Sequence, residues 1–441
     1  MIINSNIVGI IADDLTGAND TALQFHLKGA NTQILLSEEI EPLNIKGTQT
    51  WAISTETRNI DPELAYDKVC KTAKMFMDKI SPDFIYKKID STIRGNIAVE
   101  VMGILSVSDY EASIIVPAFP AEKRTTVGGY HMLKGVPIER TEMAMDPHSP
   151  IIESHVPTLL KNQLSDEFQD MVGLIELKTV MKGAGPILQR INELVEEGKK
   201  LIVADAVSTV DIEQIALAIK KSDNKLLPTG TAALAQALSE FWITDTEENE
   251  HIIKTFPSLP KFIVSGSATQ ITANQIEKLE NSDEFDNILT ISLDLKTVMS
   301  GVQDELVDRI VYNLNFDNTV LVHTAKLIKD FDGFSDDSLK AELSKANLAD
   351  FITDFLAELT KRVLDKKEAL LITLGGETSY KCCKSVGAYQ LQLVDEVAPA
   401  IALSLDHNAQ WIVTKSGNLG GSNTLIDILK YFESHGGLAN E

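Results

Sequence analysis

IVGIIADDLTGAND, Ile7 to Asp20, passes from a run of apolar residues into two aspartates, then into Thr16, Gly17 and a helical stretch. Asp13 and Asp14 therefore stand at the carboxyl end of a strand, where open α/β sheets bind their ligands. Adjacent carboxylates point in different directions, so one can accept hydrogen bonds from ligand hydroxyls while the other caps the helix. The plainer reading makes both of them caps. An aspartyl-nucleophile phosphatase would need Asp-x-Asp-x-Thr, and the adjacency argues against one.

The same change from apolar run to amphipathic segment recurs along the chain, which predicts parallel sheets with crossover helices. Strands are expected at Ile7 to Ala12, Thr32 to Leu36, Gln49 to Ser54, Phe84 to Ile89, Ser113 to Val116 and Leu201 to Ala204. A second series follows at Phe262 to Val264, Leu289 to Ser292, Thr319 to His323, Ala369 to Leu374 and Trp411 to Thr414. Helical periodicity is clearest at Leu64 to Ile80, Ile187 to Glu197, Ala232 to Phe241, Leu348 to Asp365 and Leu425 to Phe432. The fold class is α/β in two domains, each a largely parallel sheet flanked by helices. An acidic run followed by Pro257 and Pro260 places the boundary at about residue 250, giving 1–250 and 251–441.

A chain of 441 residues is long enough for two hydrophobic cores, and its formal charge of -24 would repel nucleic acid and anionic lipid. Neither is an expected partner. Residues 84–140 are locally balanced, with seven basic side chains against six acidic ones, so an anionic ligand finds counter-charge there. Cys70, Cys382 and Cys383 show no zinc or disulfide spacing, and no apolar run reaches the roughly 18 residues of a membrane span. A soluble cytoplasmic protein is the expectation.

Three motifs of the first half carry ligand chemistry. In KKIDSTIRGN, Lys87 to Asn96, a strand delivers Lys88, Asp90, Ser91, Thr92 and Arg94 to one turn before a helix. Hydroxyls there can bond sugar hydroxyls, and the fork of Arg94 matches a carboxylate. Arg58, in STETRN, is a second anion contact, although alone it would read as a surface arginine. PAFPAEKRTTVGGYH, Pro117 to His131, sets Arg124 between stiffening prolines and Gly128–Gly129, as in a structured loop over a ligand. His131 reads as a supporting residue.

The second half lacks G-x-x-x-x-G-K-[ST] and offers instead three junctions of strand and glycine loop: Ser265-Gly266-Ser267, Gly375-Gly376-Glu377-Thr378 and Ser416-Gly417. Backbone N–H groups of such turns converge on phosphates, and Lys415 could add a cation. One junction is ordinary turn chemistry, whereas three in one domain indicate phosphate binding. Together the halves describe a two-domain small-molecule kinase.

With ADDLTGAND, KKIDSTIRGN, PAFP, RTTVGGYH, GVP, the Asp146–Pro147 pair, SGSATQITANQ, LGGETS and TKSG in view, the chain resembles the four-carbon acid sugar kinases from Ile7 to about Phe432. Their members phosphorylate threonate, erythronate or 3-oxo-tetronate at the 4-hydroxyl with ATP. The resemblance implies a sugar-acid site in the first domain, built from Asp13, Arg58, Lys88, Asp90, Ser91 and Arg94, with Arg124 beside them. It implies nucleotide contacts in the second at Ser265, Gly375 to Thr378 and Gly417, to which the reading of the glycine junctions adds Ser267 and Lys415. The active site would lie in the cleft between domains, with magnesium on the phosphates, Glu377 behind it, and Asp13 or Asp14 assisting deprotonation beside Arg94. Two positions depart from the family: its usual KSGGFG reads Lys415-Ser416-Gly417-Asn418-Leu419-Gly420-Gly421, and its arginine before the Asp–Pro pair is Met145. A kinase of another small hydroxy acid, an acid-activating ligase and a non-catalytic sugar-acid or nucleotide-binding protein remain alternatives. A homodimer is the base-rate expectation.

Overall fold

VGIIA, Val8–Ala12 (β1), is buried along its whole length, as a strand covered on both faces must be. In the computed structural model it lies between β3 (Thr50–Ser54) and β4 (Phe84–Lys88), parallel to both, with Ala12 level with Ser54 and Lys88. The structure describes residues 6–37, 47–146, 148–243, 256–285, 287–316, 318–325, 327 and 345–435. Pro147 and residues 244–255 of the expected boundary lie outside them. The chain divides into two units, Met1–Glu248 and Asn249–Glu441.

In the first unit the helices are α1 (Leu15–His26), α2 (Pro62–Met75), α3 (Ile97–Val107), α4 (Val156–Asn162), α5 (Leu177–Val180), α6 (Ala184–Glu196), α7 (Thr209–Lys220) and α8 (Ala232–Trp242). With β2 (Thr32–Leu35), β5 (Ala112–Val116), β9 (Val172–Ile175), β10 (Leu201–Ala204) and β11 (Leu226–Gly230), the strands run in the order β2-β3-β1-β4-β11-β5-β10-β9. Each neighbouring pair is parallel. The chain leaves β1 toward β2 and β3, then crosses back to β4 on the other side. That reversal puts the carboxyl ends of β1, β3 and β4 at a topological switch point.

Several elements were not legible in the sequence. β11 contains Pro228 and ends on Gly230, residues that read as turn signals. Arg124–Val127 (β6), Tyr130–Leu133 (β7) and Val136–Pro137 (β8) form a separate antiparallel sheet where a loop was expected. Its strands are too short and polar to show a period. Gly128 and Gly129, with φ of 58° and 77°, make the tight turn, and Asp205 accepts both of their N–H groups, at 2.6 and 2.9 Å.

In the second unit, β12 (Lys261–Ser265), α9 (Gln270–Glu280), β13 (Ile288–Ser292), α10 (Leu295–Met299), α11 (Asp304–Leu314) and β14 (Thr319–His323) come first. They are followed by α12 (Lys345–Leu364), β15 (Leu370–Leu374), α13 (Gly376–Ser385), β16 (Gln390–Ala398), β17 (Ile401–Asp406), β18 (Trp411–Lys415) and α14 (Thr424–His435). The sheet order is β13-β14-β12-β15-β18-β17-β16, parallel as far as β18 and antiparallel beyond it. Separate apolar clusters fill the units, one around Ile11, Ile53, Phe76 and Ile115, the other around Ile263, Ile372, Val413 and Phe432. No helix among the described residues is long and apolar enough to cross a membrane.

β4 sends its consecutive lysines to opposite faces. Lys88 faces α1, while Lys87 is fully buried against α3, 2.6 Å from Glu100. Burial and the charge of Asp13 raise the Glu100 carboxyl, and Lys87 opposes them. Removing one partner of such a pair costs about 3–5 kcal/mol. Lys87→Met should therefore lower the urea midpoint of the first unit sharply, and adding Glu100→Gln should recover at least half of the loss; an unchanged midpoint would show that the pair is dispensable.

Candidate functional site

Three strand ends converge at the switch point. After β1, Asp14 caps α1 through Oδ1, which accepts the Gly17 N–H at 2.8 Å, and its Oδ2 accepts the Thr16 hydroxyl at 2.9 Å. After β3, Arg58 grips Asp13 with Nε and Nη2, at 2.7 and 3.1 Å, and Asp14 with Nη1 at 2.7 Å. After β4, Arg94 donates to Asp90 through Nε and Nη2, at 2.8 and 3.1 Å, and to Asp146 through Nη1 at 2.7 Å. Gly95, with φ 88°, lets this turn lie against Arg58, whose Cα would be 3.2 Å from any added Cβ. Asn96 then donates to the carbonyls of Thr57 and Ile60.

Burial and compensation set the charges. Desolvation would raise Asp90, but Arg94 and Arg58 overcome it and hold its carboxyl well below the ordinary range. Burial is likewise outweighed at Asp14, by Arg58 and Lys88. Glu56, which has φ 48°, accepts the Leu15 N–H at 2.9 Å and the Ser54 hydroxyl. Burial and the neighbouring Asp14 push it up to about 8. Arg124 donates to the Ser91 hydroxyl at 2.8 Å. His131, lowered to about 4 by burial, is neutral, so Nε2–H donates to the Ser91 carbonyl and Nδ1 accepts from Thr126.

In the second unit, β12, β15 and β18 are neighbours, so their three glycine junctions meet at one sheet edge. The Gly375 N–H bonds the Lys415 carbonyl at 2.8 Å, and Thr269 and Thr272 donate to the Gly417 carbonyl at 2.7 and 2.9 Å. A Cβ at Gly266 would stand 2.5 Å from the Thr378 hydroxyl, and one at Gly417 2.5 Å from that of Ser267. Gly375, with φ 112°, precedes the first turn of α13, whose N–H groups suit an anion.

The first unit thus brings together Asp13, Asp14, Arg58, Lys88, Asp90, Ser91, Arg94 and Arg124, and the second Ser265, Ser267, Gly375, Gly376, Thr378 and Gly417. Some placements differ from the sequence reading. Asp13 and Asp14 are both clamped by Arg58, and at Asp14 Arg58 and Lys88 outweigh burial and hold the carboxyl below its ordinary range, which leaves Asp14 poorly suited to accept a proton. Lys415 is fully buried and donates to the Ser416 carbonyl, so its ammonium stands in the wall of the loop. Glu377 is 3.3 Å from Lys381. Met145 is 75% exposed, whereas the next residue, Asp146, is the one that reaches Arg94. In the departing loop, Asn418 and Leu419 are buried, and Gln275 holds the carbonyls of Leu419 and Gly421. Glu56 carries no motif of its own, and its position two residues before Arg58 is the one signal that marks it in the sequence.

A family model described as a sugar-binding N-terminal domain matches residues 8–238, and one described as a nucleotide-binding C-terminal domain matches residues 262–425. The sequence is 29% identical to D-erythronate kinase of Heliobacterium modesticaldum, over 97% of each chain. It is 28% identical to D-threonate kinase of Salmonella typhimurium, over 96% of this chain and 98% of that one. Identity to 3-oxo-tetronate kinase of Cupriavidus necator is 24%, over 97% and 98%. Two solved structures share the fold: a Salmonella typhimurium protein at TM-score 0.75 and 21% identity, covering 95% of this chain and 98% of its own, and a Haemophilus influenzae protein at 0.69 and 24%, covering 97% and 99%.

Glu56 makes the site sensitive to pH. Its folded value near 8 lies above the ordinary 4.5, so the folded state keeps a proton that the unfolded chain releases. Stability from this group is complete below about pH 4.5 and is lost as pH rises through 8. Glu56→Gln should melt like wild type at pH 5 and above it at pH 8.5; identical melting curves at both pH values would remove Glu56 from this role.

Proposed function

The chain belongs to the four-carbon acid sugar kinase family and is a phosphotransferase with an alcohol acceptor; on that premise we propose that it transfers the γ-phosphoryl group of ATP to the 4-hydroxyl of a four-carbon sugar acid. The observation that carries this reading is the buried cluster at the ends of β1, β3 and β4. There Arg58, Arg94 and Arg124 stand among Asp13, Asp14, Asp90 and Asp146. A small polyhydroxy acid needs both kinds of group, guanidinium forks for its carboxylate and carboxylates for its hydroxyls. Identities of 29% and 28% to the erythronate and threonate kinases, against 24% to a 3-oxo-tetronate kinase, favour an aldonic acid over an oxo acid.

In this reading Arg94 and Arg58 hold the carboxylate, and Ser91, Asp90 and Lys88 orient the hydroxyls. Magnesium bound with ATP would help neutralise the charge of its phosphates. Those phosphates rest on the glycine junctions and on the N-terminus of α13. Phosphoryl transfer asks mainly for in-line positioning and neutralised charge, which suits sites built from fixed dipoles and guanidinium groups.

ADP release, measured with ATP and magnesium across D- and L-erythronate, D- and L-threonate and the 3-oxo-tetronates, should respond to a D-aldonate. Arg94→Ala should raise KM for that acid at least about tenfold with KM for ATP little changed. Gly375→Ala, forced into φ 112°, should do the reverse. Silence across the panel would sink the proposal, and equal effects of both variants on both substrates would sink the division of labour.

A further inference from the structure

Asp20 lies on α1 beyond the Asp14 cap, on the helix face that also carries Gly17. A Cβ at Gly17 would stand 3.0 Å from the Lys88 ammonium, so that amine rests against this face. Asp20 keeps part of its surface in solvent, yet its Oδ1 is covered and has no hydrogen-bond partner among the described residues. Nε of Arg124, whose guanidinium charge acts on Asp20, is also covered and has none. The surrounding carboxylates are engaged: Asp13 and Asp14 by Arg58, Asp90 and Asp146 by Arg94, and Glu56 by Leu15 and Ser54; Glu100, whose Oε2 meets Lys87 while Oε1 has no hydrogen-bond partner among the described residues, lies on the opposite face of the sheet from Lys88.

A buried carboxylate oxygen and a buried guanidinium N–H, each lacking a partner, are expensive unless a ligand satisfies them. A hydroxyl can satisfy both, because it donates one hydrogen bond and accepts others. We propose that Asp20 receives the proton of the attacking substrate hydroxyl while Arg124 Nε–H supports its oxygen. This inference rests on the kinase reading and deepens it by assigning the base. As the O–H proton passes to Oδ1, the oxygen bonds to the γ-phosphorus. The bond from that phosphorus to the β,γ-bridging oxygen breaks, and ADP leaves with the electron pair.

The electrostatics agree. Burial raises Asp20 to about 7, Lys88 and Arg124 pull it down, and Glu122 and Asp14 push it up. Tyr86, from the same face of β4, feels its charge. A base near 7 is matched to work at neutral pH.

Asp20→Asn is the test. It replaces a costly buried carboxyl with a neutral group, so it should melt no lower than wild type. Its kcat should fall by about 10²–10⁴ with KM for the sugar acid within about threefold. Wild-type kcat/KM should rise with pH and level off above about 7, and the variant should lose that inflection. Turnover within threefold of wild type, or an unaltered pH profile, overturns the assignment. Carbon-13 NMR of aspartate carboxyls gives a readout that needs no substrate. A carboxyl titrating between about pH 6 and 8 in wild type and missing from Asp20→Asn supports the proposal even if the acid panel is silent, which would count against the kinase reading alone. Absence of such a signal in wild type overturns the assignment of Asp20.

Discussion

Arg58 ties the ends of β1 and β3 together by binding both consecutive aspartates, and its Nη2 lies 4.0 Å from Asp90 at the end of β4. Most of the first unit's site depends on this contact. The guanidinium holds Asp14 where it caps α1 and grips Asp13 with its other edge. The Gly95 turn packed on Arg58 sets the turn that carries Asp90 and Arg94. Two carboxylates side by side in a dry setting repel each other, and a planar cation with five donors is the group suited to hold both.

Buried charge is costly, and this unit balances it locally. Arg58 and Arg94 are held well above their ordinary range, each by the carboxylates it grips and against the pull of burial. Lys87 and Glu100 form a buried ion pair on the other face of the sheet, 2.6 Å apart. Asp205 collects the N–H groups of Gly128, Gly129 and Leu177, which anchors the small sheet bearing Arg124 and His131. Of the covered polar atoms of this unit that lack a hydrogen-bond partner among the described residues, those on Asp20 and Arg124 are the ones the proposed ligand would satisfy.

The second unit reaches a similar end with almost no charge. Its junctions are close-packed backbone: Gly266 against Thr378, Gly417 against Ser267, and the threonines of α9 bonded to the Gly417 carbonyl. A Cβ at either glycine would collide with a hydroxyl, that of Thr378 or that of Ser267. Asn418 and Leu419 change the wording of the last loop, but Leu419 packs into the core, and Gln275 fixes the backbone around it.

Apolar runs with polar residues at their carboxyl ends are local signals. Ile7 to Asp20 and Lys87 to Asn96 therefore announced an α/β fold and the strand ends that carry chemistry. β6 to β8 and β11 stayed hidden because strands of two to four residues and a proline-bearing strand have no period to read. The sequence by itself determined the two α/β units and most of the residue types in each site. Tertiary structure alone decided which carboxylate each guanidinium holds, that Asp146 reaches Arg94, and that Asp20 keeps an oxygen without a partner. The reason is that these pairings join segments tens of residues apart, and only the order of strands in the sheet brings them together.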